Sequence, residues 1–242
     1  MTDRRLEGQV ALVTGASKGI GRASALSLAR AGAHIVGVAR SSLDSLAAEV
    51  TQLGVEFLEV KGDVGVEETA TEAMQATLTR FGRLDLLLNN AGVGKYEDFT
   101  ECTVADYDRI MVTNMRSTFL FSAAAVPVMK QQGAGLILQI ASQAGLRGFT
   151  REAIYCASKH AQVGFTRALR QELQPFGIKV GVICPAGVAT DFAVGDGRTE
   201  EFVSEADFLS AQDVADAVMF CAQQSPKSRA PEMSLISLGE NL

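Results

Sequence analysis

The sequence predicts an α/β fold: one doubly wound domain with a mostly or wholly parallel seven-stranded sheet and helices on both faces. Three observations carry this reading. Seven short apolar runs rich in Val, Ile and Leu recur along the 242 residues, as in strands covered on both sides. Helix-length amphipathic stretches separate them, and such alternation with right-handed crossovers builds a parallel sheet. A glycine-rich turn, Thr14–Gly21, lies directly between the first run and the first helical stretch.

The runs are Val10–Val13, Ile35–Val38, Phe57–Val60, Leu84–Leu88, Leu136–Ile140, Val180–Ile183 and Leu235–Leu238. The last carries serines at 234 and 237, as an edge strand would. Between the runs the period becomes helical: Ala157, Ala161, Phe165, Ala168, Leu169, Leu173 and Phe176 form one stripe. Helix starts with an acid three residues on are read at Ser41–Asp44, Thr103–Asp106 and Ser210–Asp213. Gly32, Gly54, Gly82, Gly133 and Gly177 stand just before strands, where a helix must stop. With no internal linker or repeat, residues 1–242 read as a single domain. The longest stretch without a strand runs from Cys184 to Glu232. Its part Asp191–Leu209 holds six acids, Arg198 and three phenylalanines. It reads either as a substrate lid, placed after a strand's carboxyl end, or as a surface loop with a short helix.

Composition narrows the function. A net charge of −6 and a pI near 5.1 argue against a nucleic-acid partner. No apolar run approaches the ~20 residues a membrane span needs, and Met1–Leu6, with two arginines and no apolar stretch, predicts no secretory signal. Cys102, Cys156, Cys184 and Cys221 are scattered, so reduced and mostly buried thiols in the cytoplasm are expected. Two histidines, His34 and His160, argue against a histidine metal site or triad. No metal is expected.

The turn Thr14-Gly15-Ala16-Ser17-Lys18-Gly19-Ile20-Gly21 has the strand–turn–helix context of a dinucleotide site. Gly15 permits the turn, Gly19 lets backbone approach a pyrophosphate, and Gly21 allows close helix packing. Free N–H groups and the helix dipole favour the anion. An NAD site places a carboxylate at the end of the second strand. Here that strand ends Val38-Ala39-Arg40-Ser41, and Arg40 offers a planar fork to a 2′-phosphate. Lys18 adds a second positive charge, so NADP(H) is expected over NAD(H).

Of three tyrosines, Tyr155 alone has a lysine four residues on, Lys159. One helical turn apart, the ammonium would lower the phenol pKa and bring it within reach of acid/base work near neutrality. Ser142 follows the fifth strand, where its hydroxyl could hydrogen-bond a substrate oxygen.

TGASKGIG at 14–21, NNAG at 89–92, Asn114, Ser142 and YCASK at 155–159 together resemble the short-chain dehydrogenase/reductase family, across essentially the whole chain. The resemblance implies a Rossmann-type domain and a hydride exchanged between nicotinamide and a carbonyl or alcohol carbon. By resemblance Tyr155 is the general acid or base, Ser142 holds the carbonyl oxygen, and Lys159 lowers the tyrosine pKa and binds the nicotinamide ribose. Asn114 would help hold a water in the proton relay. Asp63 and Val64 would contact adenine. Asn90, Ala91 and Gly92 would lie beside the cofactor, and Pro185, Val188 and Thr190 would contact the nicotinamide end. One departure is Ala186, where the family usually has glycine; Gly187 next door is expected to supply the backbone freedom.

A small or medium apolar carbonyl compound is the expected substrate, with Phe149, Phe192, Phe202 and Phe208 as candidate pocket walls. The alternative is 3-oxoacyl-[acyl-carrier-protein] reduction, but Gln131–Ala134 and Gln174–Phe176 lack the arginines such relatives often carry there, and Ser237–Leu242 lacks their Asp-Gly-Gly closing. A non-catalytic NADP(H) sensor is a further alternative; such relatives usually lose the tyrosine or lysine. The resemblance also implies a homodimer or homotetramer through helices at about 104–131 and 155–176, where Met111, Met115, Phe119, Val163 and Phe165 exceed one buried face.

Overall fold

The computed structural model describes residues 5–239, so residues 1–4 and 240–242, at the two ends quoted above, lie outside it. The strands are β1 (Val10–Thr14), β2 (His34–Ala39), β3 (Phe57–Lys61), β4 (Leu86–Asn89), β5 (Gly135–Ile140), β6 (Ile178–Pro185) and β7 (Glu232–Leu235). The helices are α1 (Gly19–Arg30), α2 (Asp44–Gln52), α3 (Glu67–Phe81), α4 (Val104–Met111), α5 (Ser117–Gln132), α6 (Ala153–Leu173), α7 (Glu200–Glu205) and α8 (Ala211–Ala222). The sheet runs β3-β2-β1-β4-β5-β6-β7, every pair parallel. Strand order reverses between β1 and β4, and at such a switch point a crevice opens above the carboxyl ends.

Alternate strand residues feed two cores. Leu12, Val36, Leu87 and Ile137 point to one face with Phe121 and Met129. Val13, Ile35, Leu88 and Leu138 point to the other with Val214 and Val218. Each large side chain so buried contributes roughly 1.5–3 kcal/mol. The five glycines before strands all have positive φ, ending the preceding helices as expected.

Four local expectations change. The helix expected over about 104–131 is one rod with a π-helical turn, Val112–Arg116, between α4 and α5. Such a turn often marks a functional site, and here it carries Asn114, 0% exposed. Thr103 and Ser210 form capping boxes. At α2, by contrast, no side chain caps the helix and Ser42 Oγ accepts instead from Asp44 N at 3.1 Å. The last strand lies three residues earlier than its apolar run, because an edge strand with one neighbour needs few apolar residues; Glu232 there binds the Arg167 guanidinium. Finally, the apolar stripe of α6 is split: Leu169 and Leu173 pack on the sheet core, and Val163, expected to exceed the buried face, is buried against β6. Ala157 and Ala168 are exposed, whereas Tyr155, Ser158, Lys159, Gln162 and Thr166 are buried. The helix turns its polar side inward because those groups find hydrogen-bond partners there.

Candidate active site

A crevice of about 950 Å³ lies above the carboxyl ends of the strands. Its floor at one end is the loop after β1, with Gly15, Ser17, Lys18, Gly19 and Ile20 lining it. Gly15 and Gly19 have φ of 67° and 55°, a left-handed backbone that favours glycine. Gly21 does not line the crevice; a Cβ there would overlap the Gly15 carbonyl oxygen. α1 begins at Gly19 with no side-chain cap, so its first N–H groups face the crevice unpaired by any cap. The cradle therefore fits an anionic pyrophosphate.

The loop is tied to the segment after β4 by hydrogen bonds between the two motifs that their spacing did not announce. Thr14 Oγ1 accepts from Asn90 N and Ala91 N at 3.0 and 3.1 Å. Asn90 Nδ2 donates to the Thr14 carbonyl at 2.9 Å and that of Gly15 at 3.2 Å. Asn90, Ala91 and Gly92 line the crevice, as do Asp63 and Val64 from the loop after β3. Asp63 Oδ1 accepts from Gly65 N at 2.8 Å, which fixes that loop. Arg40 is exposed at the end of β2 and also lines the crevice. Lys18 also lines the crevice, and its exposed ammonium pairs with Asp191 at 3.2 Å.

At the other end Ser142, Tyr155 and Lys159 converge on the same crevice. Ser142 Oγ accepts from Ala144 N at 3.1 Å, which orients the hydroxyl after β5. Lys159 is 3% exposed and donates to the Ile140 carbonyl at 3.0 Å and Gln162 Oε1 at 2.9 Å. Burial pushes its pKa down to about 7. Its Nζ lies 5.6 Å from the centre of the Tyr155 ring.

The expected lowering of the Tyr155 pKa is corrected. Burial of the phenol raises it well above 10.0; Tyr96 adds to the rise, and the Ser142 hydrogen bond opposes it. Desolvation penalises a phenolate more than a hydroxyl contact recovers, and the nearby ammonium gives two of its three N–H groups to Ile140 and Gln162. The phenol is thus held in its proton-bearing form, the form a general acid requires.

Asn114 sits behind these groups and does not line the crevice. Its Oδ1 accepts from Val93 N at 2.8 Å, and its Nδ2 donates to the Val93 carbonyl and to Ser158 Oγ, both at 2.9 Å. The side-chain amide is therefore engaged in bracing the loop after β4 against α6. Gln162 donates to the Asn114 carbonyl at 3.0 Å and Thr118 Oγ1 at 2.7 Å. Ser158 and Gln162 escaped sequence reading; their one signal is a polar position on the inward face, three residues from Tyr155 and Lys159 respectively.

Beyond Tyr155 the walls become aromatic. Tyr96 meets it edge-on at 5.9 Å and Phe192 at 5.7 Å between ring centres. Phe149, Phe202 and Phe208 line the crevice too. Glu152, one turn before Cys156, is pushed by burial up to about 7. Pro185, Val188 and Thr190 line the middle. Gly187 does not supply the left-handed freedom expected of it, since its φ is not positive. It supplies room instead, because a Cβ there would overlap the Phe208 ring.

Fold and site together define an oxidoreductase of carbonyl and alcohol groups. The chain belongs to the short-chain dehydrogenase family, whose model, described as short chain dehydrogenase, matches residues 9–201. It is 34% identical over 222 residues, 90% of each chain, to a 3-oxoacyl-[acyl-carrier-protein] reductase of Synechocystis sp.. A crystal structure of levodione reductase superposes with TM-score 0.87 at 30% identity, over 95% of this chain and 96% of that one. An alcohol dehydrogenase of Thermococcus sibiricus, complexed with 5-hydroxy-NADP, gives 0.89 at 28% identity over 97% and 98%. Among the described residues no helix is long and apolar enough to cross a membrane.

Proposed function

We propose that this protein is an NADP(H)-dependent reductase of a carbonyl compound with an apolar body. The observation that carries the reading is one crevice shared by the anion cradle of α1, the Arg40 guanidinium and the Ser142–Tyr155–Lys159 group. Gly15, Ser17, Lys18, Gly19 and Ile20 would hold the pyrophosphate and Arg40 the 2′-phosphate. Asp63 and Val64 would flank the adenine. Asn90, Ala91, Gly92, Pro185, Val188 and Thr190 would line the remaining length of the nucleotide. When bound, the nicotinamide supplies or takes the hydride.

The chain's own residues position and protonate. Ser142 Oγ holds the carbonyl oxygen, and Tyr155 Oη, protonated because it is buried, gives that oxygen its proton. Lys159, fixed by Gln162 and the Ile140 carbonyl, binds the nicotinamide ribose. Asn114 acts as a positioning residue through its clamp on Val93 and Ser158. Segment 191–209, which contributes Phe192, Phe202 and Phe208 to the crevice, serves as the substrate lid.

A free substrate is favoured over a carrier-bound one. An acidic carrier protein needs a cluster of unpaired cations to dock on, whereas Arg109 is bound to Asp196, Lys95 to Glu97 and Asp106, and Arg151 to Asp98, which leaves Arg40 and Arg198 as separate single charges in the crevice. The exposed Ala157 and Ala168 of α6, with the exposed Phe119 of α5, support a homodimer or homotetramer. The cysteines, all free and three of them buried, accord with the cytoplasm. The deciding experiment is a carbonyl panel with NADPH on wild type and Tyr155→Phe. A loss of about 10²–10⁴-fold in kcat with NADPH binding kept is expected; undiminished turnover would sink the assignment, and binding without any turnover would favour a sensor.

A further inference from the structure

The substrate end of the crevice holds a guanidinium with no anion bound to it. Arg198 lines the crevice with Tyr96 and Tyr155. Its guanidinium carbon lies 4.8 Å from the centre of the Tyr96 ring and 5.3 Å from that of Phe208. Tyr96 in turn packs edge-on against Tyr155. The cation therefore stands one ring away from the proposed proton donor, and its field acts on that phenol, opposing the rise of its pKa.

The acids of the same segment are committed elsewhere or face solvent. Asp191 pairs with Lys18, Asp196 accepts from both terminal nitrogens of Arg109 at 3.0 and 3.1 Å, and Asp207 accepts from Gly239 N at 3.0 Å. Glu200, Glu201 and Glu205 are exposed on α7. Glu152 feels the Arg198 charge, yet burial keeps its pKa near 7, so it is only partly ionised at neutrality. Among the described residues, then, the N–H donors of the Arg198 guanidinium have no partner.

The turn presenting this arginine is built rather than loose. Arg198 N donates to the Ala193 carbonyl at 3.1 Å, Gly195 N to the Arg198 carbonyl at 3.0 Å, and Tyr96 N to the Asp196 carbonyl at 2.9 Å. Gly197, at φ 103°, lies so close to the Tyr96 backbone that a Cβ would overlap its carbonyl oxygen. The two ring contacts hold the charge by attraction to aromatic faces and consume none of its donors. A planar fork with free N–H groups suits two carboxylate oxygens at once.

We infer that Arg198 is a specificity-determining residue and that the substrate is an oxo acid: its carbonyl oxygen lies at Ser142 and Tyr155, and its carboxylate is taken by the Arg198 fork. This rests on the reading of the crevice as a carbonyl-reductase site and adds a charged terminus to the apolar body proposed there. Phe149, Phe192 and Phe202 then cover the chain between the two polar ends.

The test uses straight-chain oxo acids from oxobutanoates to oxooctanoates, their methyl esters, and neutral ketones of equal length, with NADPH and with NADH. Wild type is expected to prefer at least one acid over its ester by about tenfold or more in kcat/KM. Arg198→Gln should bring that acid-to-ester ratio close to one, mainly through KM for the acid, and Arg198→Lys should keep part of it. Calorimetric titration of the matching hydroxy acids and their amides into wild type and Arg198→Lys gives a readout without turnover, and decides the matter if Arg198→Gln does not fold. No acid preference in wild type, or equal losses on acids and esters in Arg198→Gln, overturns the inference. Stronger binding of the corresponding oxo phosphonates also overturns it, by replacing carboxylate with phosphate. Tyr155-dependent reduction of neutral ketones with no acid preference sinks this inference alone; no reduction of any carbonyl sinks the reading beneath it.

Discussion

Gln162 accepts a hydrogen bond from the buried ammonium of Lys159 at 2.9 Å, and its own amide donates to the Asn114 carbonyl and Thr118 Oγ1. One glutamine thus joins the lysine of the site to the π-helical turn. A buried ammonium deprived of an acceptor is costly, so Gln162→Leu should destabilise the protein by about 3 kcal/mol, read from urea unfolding. Gln162→Glu separates packing from electrostatics. Its carboxylate would favour the charged ammonium and move the Lys159-dependent limb of the kcat–pH profile upward, whereas a profile unchanged in both variants would deny the contact a catalytic role.

Arg40 is exposed at the end of β2 and, among the described residues, has no ion-pair partner. If it binds a 2′-phosphate, Arg40→Ala should lower kcat/KM for NADPH by about 10–100-fold and leave NADH use nearly unaltered. Equal losses with both cofactors would refute the charge argument.

Glu152 and Lys159 tilt stability in opposite directions on either side of neutrality. The Glu152 carboxyl rises from 4.5 to about 7 through burial, so between these values the folded protein keeps a proton that the unfolded chain has released. Its contribution is complete below pH 4.5 and is lost as pH rises through about 7. The Lys159 ammonium falls from 10.5 to about 7, so above about 7 the unfolded chain binds the extra proton and stability climbs with pH up to 10.5. Urea unfolding measured across this range should show these two groups creating a dip near neutrality, and Glu152→Gln should flatten the acid limb alone. An acid limb that survives Glu152→Gln would assign the slope to other groups.

Gly187 makes room for the Phe208 ring at the base of segment 191–209. Gly187→Ala should displace that ring and raise KM several-fold, with a smaller change in kcat; overpacking typically costs about 1–3 kcal/mol. Adding Phe208→Leu should recover much of the loss. If the double variant is no better than the single one, the contact is not what shapes the pocket.

Much of the fold was legible because strand and helix periods are local. The apolar runs at Val10 and Ile35 needed no knowledge of their neighbours, and Thr103 and Ser210 announced their helices by the acid three residues on. The β7 run misled by three residues because an edge strand has one partner and little need of apolar side chains. Ser158 and Gln162 stayed invisible because a polar residue on a helix reads as solvent-facing until its partners, Asn114 and Lys159, are seen beside it. The bracing role of Thr14 hid in the same way, since its hydroxyl serves Asn90 and Ala91 in the loop after β4.

By itself, the order of residues determined the parallel sheet, the glycine turn after β1 and the one-turn spacing of Tyr155 and Lys159, because periodicity, glycine backbone freedom and helical spacing act over a few neighbouring positions. Only the tertiary structure decided that α6 turns its polar side inward, that the Tyr155 phenol keeps its proton while the Lys159 ammonium is weakened, and that Arg198 reaches the same crevice. Desolvation and the distances between charges depend on which remote segments pack together, and no local pattern encodes them.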